Sequence, residues 1–207
     1  VKGELWRRFW KPVIVSILNT EPAEASAQLL WAVLRETFGK GEAASRPRYV
    51  RDGLSESFIE PALRLLGDQG AEVRFNARLK GLTIEDNVIG ALEFGDGTVP
   101  ISTDDAIILA VPPQAVHGLL PDIEVPLETR AIVNGHFILP RSINEWTPMG
   151  LIGGTAQWLF ARGDVASVTI SAADELADEP ADLIAEKVWP EIVRALNLGG
   201  APLGAYR

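Results

Sequence analysis

The sequence predicts an α+β fold, and three observations lead to that prediction. Apolar residues recur at helical spacing near both ends of the chain, over residues 3–19 and 181–198. Residues 80–94 alternate between apolar and polar side chains about a central Asp-Asn pair, as an antiparallel hairpin does. Residues 105–110 are apolar without alternation, which is typical of a strand covered on both faces. Together these patterns favour a mixed fold derived from an α/β sheet.

The N-terminal residues predict two helices joined by a short turn. Residues 3–19 carry a wide apolar stripe, which Pro12 interrupts because proline lacks a backbone N–H donor. Thr20 and Pro22 have the chemistry of a helix cap and first turn, so a second helix is expected from there to about Phe38. The two helices carry three of the six tryptophans, either as core residues or as the lining of a large apolar pocket.

A glycine pattern in the following loop imitates a nucleotide-binding motif. Gly39, Gly41 and Ala44 fit the spacing G-x-G-x-x-A. That fingerprint binds a pyrophosphate only when a strand enters the first glycine and a helix leaves the third. Here a helix is expected before Gly39, and Pro47 follows soon after Ala44. We therefore reject a dinucleotide site at this position.

Residues 46–113 predict one helix followed by a run of short strands. The helix is expected over about 55–66, with Pro61 in its first turn, where the missing N–H is harmless. The strands expected after it are 72–75, 80–85, 88–94, 98–102 and 105–110. The last of them ends in Ala-Val-Pro-Pro at 110–113. Because open α/β sheets bind ligands beyond the carboxyl ends of their strands, this segment predicts one piece of a dinucleotide-binding sheet. A strand followed by a helix that starts with proline is the alternative.

The residues after 113 predict a mostly antiparallel sheet and a long helix. A short helix is expected over 114–120. The strands expected next are 133–139, 151–153, 158–161 and 167–171. The long helix is expected over 181–198, with Pro190 as a point of bending.

Composition excludes several classes of protein. The net charge is −9 with no basic block, which argues against a nucleic-acid partner. There is no cysteine, and the two histidines, His117 and His136, lie far apart in the sequence, so no metal site and no thiol chemistry are predicted. No G-x-S-x-G, Walker A or paired-carboxylate pattern occurs, and neither histidine has an evident catalytic partner. The sequence therefore names no catalytic residue.

The sequence also leads to expectations about the cellular location of the protein and about whether the chain is part of a longer one. The absence of cysteine fits a reducing cytoplasm. The apolar runs are far shorter than the roughly 18 residues of a spanning helix, and no signal peptide is evident. The chain begins at Val1 and ends at Arg207 without a tail, which leads us to expect a fragment of a longer protein.

Residues 53–121 resemble the superfamily of flavin-dependent amine oxidases and phytoene desaturases. The motifs that carry the resemblance are Gly-x-Glu-Val at 70–73, the hairpin at 80–94, Asp-x-Ile-Ile-x-Ala-x-Pro at 105–112 and Leu-Leu-Pro at 119–121. More narrowly, LNTEPAEASAQ at 18–28 and GLIGGTAQWLFARG at 150–163 resemble the squalene-associated branch, the hydroxysqualene dehydroxylases of hopanoid synthesis. The resemblance covers nearly the whole chain.

The resemblance implies FAD as cofactor and four residues that contact it. The backbone at Leu79 would pair with the adenine edge, and Ala110, Val111 and Pro112 would pack near the adenosine part. The superfamily's N-terminal strand-GxGxxG-helix and its C-terminal flavin segment have no counterpart in this sequence. Without a helix N-terminus for the pyrophosphate, this chain alone is expected to hold FAD weakly or not at all.

The implied activity is that of an FAD-dependent oxidoreductase that acts on a long isoprenoid, namely the reductive removal of the hydroxyl from hydroxysqualene. A carotenoid (phytoene-type) desaturase or an amine oxidase of the same superfamily is the alternative. A non-catalytic module that binds an apolar ligand is the alternative from another class. The expected location is the cytoplasm, and peripheral association with the cytoplasmic face of a membrane is compatible with an isoprenoid substrate, although no basic amphipathic helix supports it.

The resemblance also implies a division of the chain. Residues 1–45 would form helices of the substrate domain. Residues 46–113 would form the middle segment of the FAD domain, with the hairpin inserted in its Rossmann-like sheet. Residues 114–207 would form the mixed sheet and long helix of the substrate domain.

Overall fold

A computed structural model of the protein describes residues 3–50 and 53–207, without the side chains of 145–147. The chain divides into two compact units. One unit is discontinuous in sequence and combines Val1–Tyr49 with Arg130–Arg207; the other, the central unit, is Val50–Thr129. Helices and two antiparallel sheets make up these units, which confirms the predicted α+β class.

The discontinuous unit begins with a helical segment whose hydrogen-bond pattern changes just before Pro12. A π-helical turn, Trp6–Trp10, leads into α1, Lys11–Leu18. Trp10 and Lys11 both have right-handed helical backbone angles, so the chain stays helical up to Pro12 and the break predicted there is not seen. The helix ends at Asn19, whose φ of 49° is left-handed and stops the helical ladder. The predicted end near residue 19 is therefore confirmed.

The second helix begins later than predicted. α2 spans Ala27–Glu36, and its N-cap is Ser26, whose side chain accepts a hydrogen bond from the Leu29 amide at 3.3 Å. Thr20 cannot cap a helix because its hydroxyl donates to the Leu18 carbonyl at 2.9 Å. The start predicted at Thr20 is therefore wrong. A 3₁₀ turn, Phe38–Lys40, and a short helix, α3, Glu42–Ser45, follow α2, so a helical turn rather than a strand surrounds the first glycine of the imitated fingerprint.

A long hairpin forms the sheet of the discontinuous unit. Its strands are β4, Val133–Gly150, and β5, Trp158–Ile170, which run antiparallel with two register shifts between Ile138 and Thr147. Three of the four predicted strands lie within this hairpin. The fourth, predicted at 151–153, is wrong, because Gly153 takes a φ of +81° and the chain turns there.

The core of this unit lies between one face of the hairpin and α6, Ala181–Ala195. Leu159 on β5 and Val188 and Ile192 on α6 are the largest fully buried side chains. The Trp189 ring stacks on Phe137 with centroids 5.9 Å apart. Burying each such side chain contributes about 1.5–3 kcal/mol, so this layer carries much of the stability of the unit. Pro190 lies inside α6, as predicted.

The central unit contains the predicted hairpin. A π-helical turn, Ser55–Ile59, leads into α4, Glu60–Asp68, with Pro61 in its first turn. The three-stranded antiparallel sheet that follows has the order β1, Leu79–Glu85, β2, Val88–Phe94, and β3, Gly97–Pro100. Asp86 and Asn87 turn the first hairpin with φ values of 48° and 64°, the left-handed pair that a tight two-residue turn requires. α5, Pro113–Leu119, closes the unit.

Two predicted strands of the central unit are absent. Residues 72–75 and 105–110 have no strand structure, and Ile108 is 88% exposed. A strand that is covered on both faces needs neighbouring strands for its backbone hydrogen bonds and packed layers on either side. In the described part of the chain, neither segment pairs with another strand. The predicted strands at 72–75 and 105–110 are therefore corrected to irregular chain.

Candidate functional site

One face of the β4–β5 sheet carries polar side chains that pair across the strands. The opposite face is buried under α6, so the alternating side chains point away from the core. On this outer face, the Nδ1 atom of His136 lies 2.8 Å from the Oγ atom of Ser167, its direct partner in the register. The next pair along the strands joins the Thr169 hydroxyl to Asn134 Oδ1 at 2.9 Å. An imidazole held by one ring nitrogen leaves the other free for a proton or a ligand.

The strand backbone fixes the position of His136 from both sides. The C-terminal residues pair with the free edge of β4: the His136 amide donates to the Arg207 carbonyl at 2.8 Å, and the Arg207 amide donates back at 2.9 Å. The Tyr206 hydroxyl donates to Asp182 Oδ1 at 2.6 Å, and this hydrogen bond raises the pKa of the Tyr206 phenol. His136 therefore stands on a middle strand rather than on an edge, a rigid place for a functional side chain.

An aromatic cluster occupies the far end of the same outer face. Trp158 and Phe160 stack with centroids 6.4 Å apart, and the Tyr49 ring lies 6.5 Å from Phe160. The Trp158 indole N–H donates to Ser16 Oγ on α1 at 2.8 Å. α1 therefore contacts the outer face at this end, while His136 remains exposed. An extended face with aromatic rings at one end and an imidazole–hydroxyl pair at the other suits a long ligand that is mostly apolar and carries one polar group.

The loop between β4 and β5 is held by one carboxylate. Glu191 on α6 accepts the Thr155 amide at 2.6 Å with Oε1 and the Ala156 amide at 3.0 Å with Oε2. A Cβ atom added to Gly154 would lie 2.5 Å from the same carboxylate. The glycine therefore lets the backbone approach Glu191 closely enough for both hydrogen bonds. The loop borders a cleft of about 360 Å³ against α1.

A second set of contacts fastens α1 to the start of the sheet region. Arg130 pairs with Glu24 at 2.7 Å and with Asp174 at 2.8 Å. The Ala131 amide and the Arg130 guanidinium donate to Asp174, and these hydrogen bonds lower its pKa. The Asn19 side chain donates to the Arg130 carbonyl at 2.9 Å. These contacts orient the helix whose Ser16 supports the aromatic cluster.

The four predicted cofactor residues all lie in the central unit. Leu79 begins β1, and Pro112 is the N-cap residue of α5, an element that contacts β1. Ala110 is exposed, and Val111 is 40% exposed. Their predicted role toward FAD stays a prediction.

The functional pair on the outer face was missed by sequence reasoning. The sequence indicates no partner for His136 because Ser167 is 31 residues away. Both residues occupy polar positions of alternating strands, so the signal existed, but only the register brings them together. His117 is exposed on α5, away from any such pair among the contacts described. Among the described residues, no group of three or more histidine or carboxylate side chains is placed to hold a metal ion.

Within residues 3–50 and 53–207, none of the helices has the length and hydropathy needed to cross a membrane.

Comparison with known proteins gives a consistent set of relatives. Hydroxysqualene dehydroxylase of Sinorhizobium fredii (strain NBRC 101917 / NGR234) is 41% identical over 198 residues, which cover 96% of this chain and 48% of that protein. The protein of the same name from Rhodopseudomonas palustris (strain ATCC BAA-98 / CGA009) is 42% identical over 197 residues, 95% of this chain and 47% of that protein. The Zymomonas mobilis protein of that name (subsp. mobilis, strain ATCC 31821 / ZM4 / CP4) is 39% identical over 188 residues, 91% of this chain and 45% of that protein.

The chain thus spans about half the length of the curated relatives it matches. A family model described as flavin containing amine oxidoreductase matches residues 1–204, nearly the whole chain. These matches agree with the resemblance drawn from the motifs at 105–112 and 150–163. The chain belongs to the flavin containing amine oxidoreductase family.

Proposed function

We propose that the full-length protein is an FAD-dependent oxidoreductase that converts hydroxysqualene to squalene by reductive removal of the hydroxyl group. Three relatives of 39–42% identity carry the name hydroxysqualene dehydroxylase, which supports this choice over a desaturase or an amine oxidase. The structural observation that carries it is the outer face of the β4–β5 sheet, which presents an imidazole–hydroxyl pair at one end and aromatic rings at the other. A long hydrocarbon with a single hydroxyl needs that combination of surfaces.

FAD would be held in part by the central unit. The backbone of Leu79 would meet the adenine edge, and the small side chain of Ala110, which is exposed, would allow the adenosine to approach closely. The described residues offer no glycine turn between a strand and a helix for the pyrophosphate, since Gly39 and Gly41 follow a helix. This chain therefore fits the adenosine part, and the pyrophosphate site would come from the remainder of the protein. When bound, the reduced flavin supplies a hydride.

We also propose that residues 105–110 become a strand of a Rossmann-like sheet in the complete protein. Ile108 is 88% exposed, and a segment this apolar is costly to leave in water. Neighbouring strands would satisfy its backbone and cover both faces. The segment 46–113 would then be the middle part of the FAD domain, and residues 1–45 and 114–207 would form the substrate domain.

In this reaction His136 would act as a proton donor. When the carbon–oxygen bond of the substrate breaks, the departing oxygen must gain a proton to leave as water, while the carbon receives the hydride. His136, with Nδ1 held at 2.8 Å from the Ser167 hydroxyl, would donate that proton from Nε2. The aromatic rings of Trp158 and Phe160, farther along the same face, would bind a distant part of the long hydrocarbon chain.

The test is turnover by the full-length protein with reduced flavin and hydroxysqualene, with squalene measured by mass spectrometry. Squalene formation supports the proposal; a protein that instead desaturates phytoene, oxidises amines or lacks flavin would overturn it. His136→Gln should lower kcat by roughly 100-fold or more, the usual contribution of a general acid, and should flatten the pH profile. Thr169→Val, which removes the neighbouring pair on the same face, is the matched control and should retain near wild-type kcat. Equal kcat for His136→Gln and the wild-type protein would rule out the proton-donating role.

A further inference from the structure

Large apolar side chains cluster on the outside of the N-terminal helices. Leu5, Trp31 and Phe38 are 67%, 64% and 52% exposed. The Phe9 ring lies 6.0 Å from that of Phe38, and Leu5 stands one helical turn before Phe9. Trp31 lies on α2, and Phe38 begins the 3₁₀ turn that follows it. We call Leu5, Phe9, Trp31 and Phe38 the N-terminal apolar surface.

Positive charge surrounds this surface. Four cations lie on the same helices and turn, and only two carboxylates pair with them: Arg7 and Arg8 with Glu4, and Arg35 and Lys40 with Glu36. Residues 1–50 hold eight Lys and Arg against five Glu, a net charge of +3. The remaining residues hold 11 basic and 23 acidic side chains, a net charge of −12. Net positive charge is therefore confined to the N-terminal part of the sequence, which contains the apolar surface.

We propose that the N-terminal apolar surface docks on an anionic lipid bilayer. Tryptophan and phenylalanine favour the boundary between headgroups and acyl chains, and lysine and arginine are attracted to anionic headgroups. The net charge of −12 on the remaining residues disfavours contact of those residues with the same headgroups. The surface is assembled from two helices and a turn, which is why no single helix carried a membrane signal in the sequence.

The biological purpose of this membrane binding rests on the proposed function. An isoprenoid substrate dissolves in the hydrocarbon of a membrane rather than in water, so the enzyme must collect it there. Binding itself rests on Leu5, Trp31 and Phe38 and on the surrounding cations, and it can be measured without substrate.

The experiment is sedimentation of the full-length protein with vesicles of equal parts phosphatidylcholine and phosphatidylglycerol. The variant Trp31→Glu/Phe38→Glu should bind at least about tenfold more weakly, because it removes two apolar contacts and adds two negative charges. Val88→Glu is the matched control, since Val88 is 60% exposed on β2 of the central unit, and it should bind like the wild-type protein. Hydrogen exchange should show vesicle-dependent protection of residues 5–9 and 29–40. Raising the salt concentration should weaken binding, because the Debye length falls below about 10 Å above 0.1 M.

Three results would overturn the proposal: no wild-type binding to these vesicles, equal binding by the double variant, or protection that lies elsewhere in the chain. Circular dichroism of the double variant checks that it folds, and both substituted positions are more than half exposed. Failure of the proposed function has a different signature. If no form of the protein makes squalene while wild-type binding and its loss in the double variant persist, the substrate assignment is wrong and the docking surface stands.

Discussion

The contact between Gly154 and Glu191 makes the sharpest prediction about stability. In Gly154→Ala, the new Cβ would lie 2.5 Å from Glu191 Oε2 and 2.7 Å from Cδ, so the carboxylate must move. It would then lose or weaken its hydrogen bonds to the amides of Thr155, at 2.6 Å, and Ala156, at 3.0 Å. Hydrogen bonds to a charged group contribute about 1.5–3 kcal/mol each, so the expected loss in free energy of unfolding is roughly 2–4 kcal/mol.

Backbone strain does not contribute to this loss. Gly154 is absent from the glycines with positive φ, so alanine can adopt its conformation, unlike at Gly153 with its φ of +81°. The cost should therefore arise through Glu191 alone. Gly67→Ala is a matched control, because the Cβ at that exposed helical position meets nothing within 4 Å. It should stabilise the protein by up to about 1 kcal/mol.

The assay is urea denaturation of the wild-type protein, Gly154→Ala, Glu191→Ala and the double variant. Because the alanine acts by displacing Glu191, it should cost little once Glu191 is gone, and the cycle should show a coupling of roughly 2–4 kcal/mol. An additive double variant, in which Gly154→Ala costs the same in both backgrounds, would refute the reasoning. So would a cost of less than about 0.5 kcal/mol for Gly154→Ala alone.

Three further predictions concern the core, the cap of α2 and the pH dependence of stability. Ile192→Ala removes a fully buried side chain from the layer between α6 and the sheet and should cost about 2–5 kcal/mol in the free energy of unfolding, measured by urea denaturation; a cost below 1 kcal/mol would contradict the packing. Ser26→Ala removes the cap of α2 and should cost about 1 kcal/mol, whereas Thr20→Val, at the position first predicted as the cap, should leave the α2 amides as protected from hydrogen exchange as in the wild-type protein. The hydrogen bonds from Ala131 and Arg130 lower the pKa of Asp174, so its stabilising contribution is present above the ordinary carboxyl range and is lost as the pH falls through the lowered value. The Tm difference between the wild-type protein and Asp174→Asn should therefore shrink as the medium is acidified, and a difference that is constant with pH would contradict this assignment.

Sequence reasoning succeeded where structure is determined locally. The hairpin at 80–94 was predicted because Asp86 and Asn87 can adopt positive φ without help from distant residues. The long helix predicted over 181–198 is confirmed as Ala181–Ala195, because its apolar stripe repeats within a short window. The start of α2 was missed because Thr20, a good capping residue by type, is bonded to Leu18 instead.

The features that sequence reasoning did not predict depend on partners that are distant in the sequence. The apolar run at 105–110 has the composition of a buried strand, but composition does not supply neighbouring strands. The pair of His136 and Ser167 depends on the register of a hairpin with two irregularities, which no local pattern determines. The motif at 150–163, which contains Gly153 and Gly154, resembles one branch of the superfamily by its sequence alone. The physical reason for Gly154 is the carboxylate of Glu191, which comes from a distant helix.

The discontinuous unit has a consequence for synthesis of the protein. The Asn19 side chain accepts a hydrogen bond from the amide of Ala172, which lies 153 residues later in the chain. At translation rates of about 5–20 residues per second, α1 leaves the ribosome roughly 8–30 seconds before this partner exists. During that interval Ile14 and Val15, which are buried in the folded chain, must avoid aggregation before α1 can form its contacts with Trp158 and Ala172. α1 therefore reaches its final place only after residue 172 has been made.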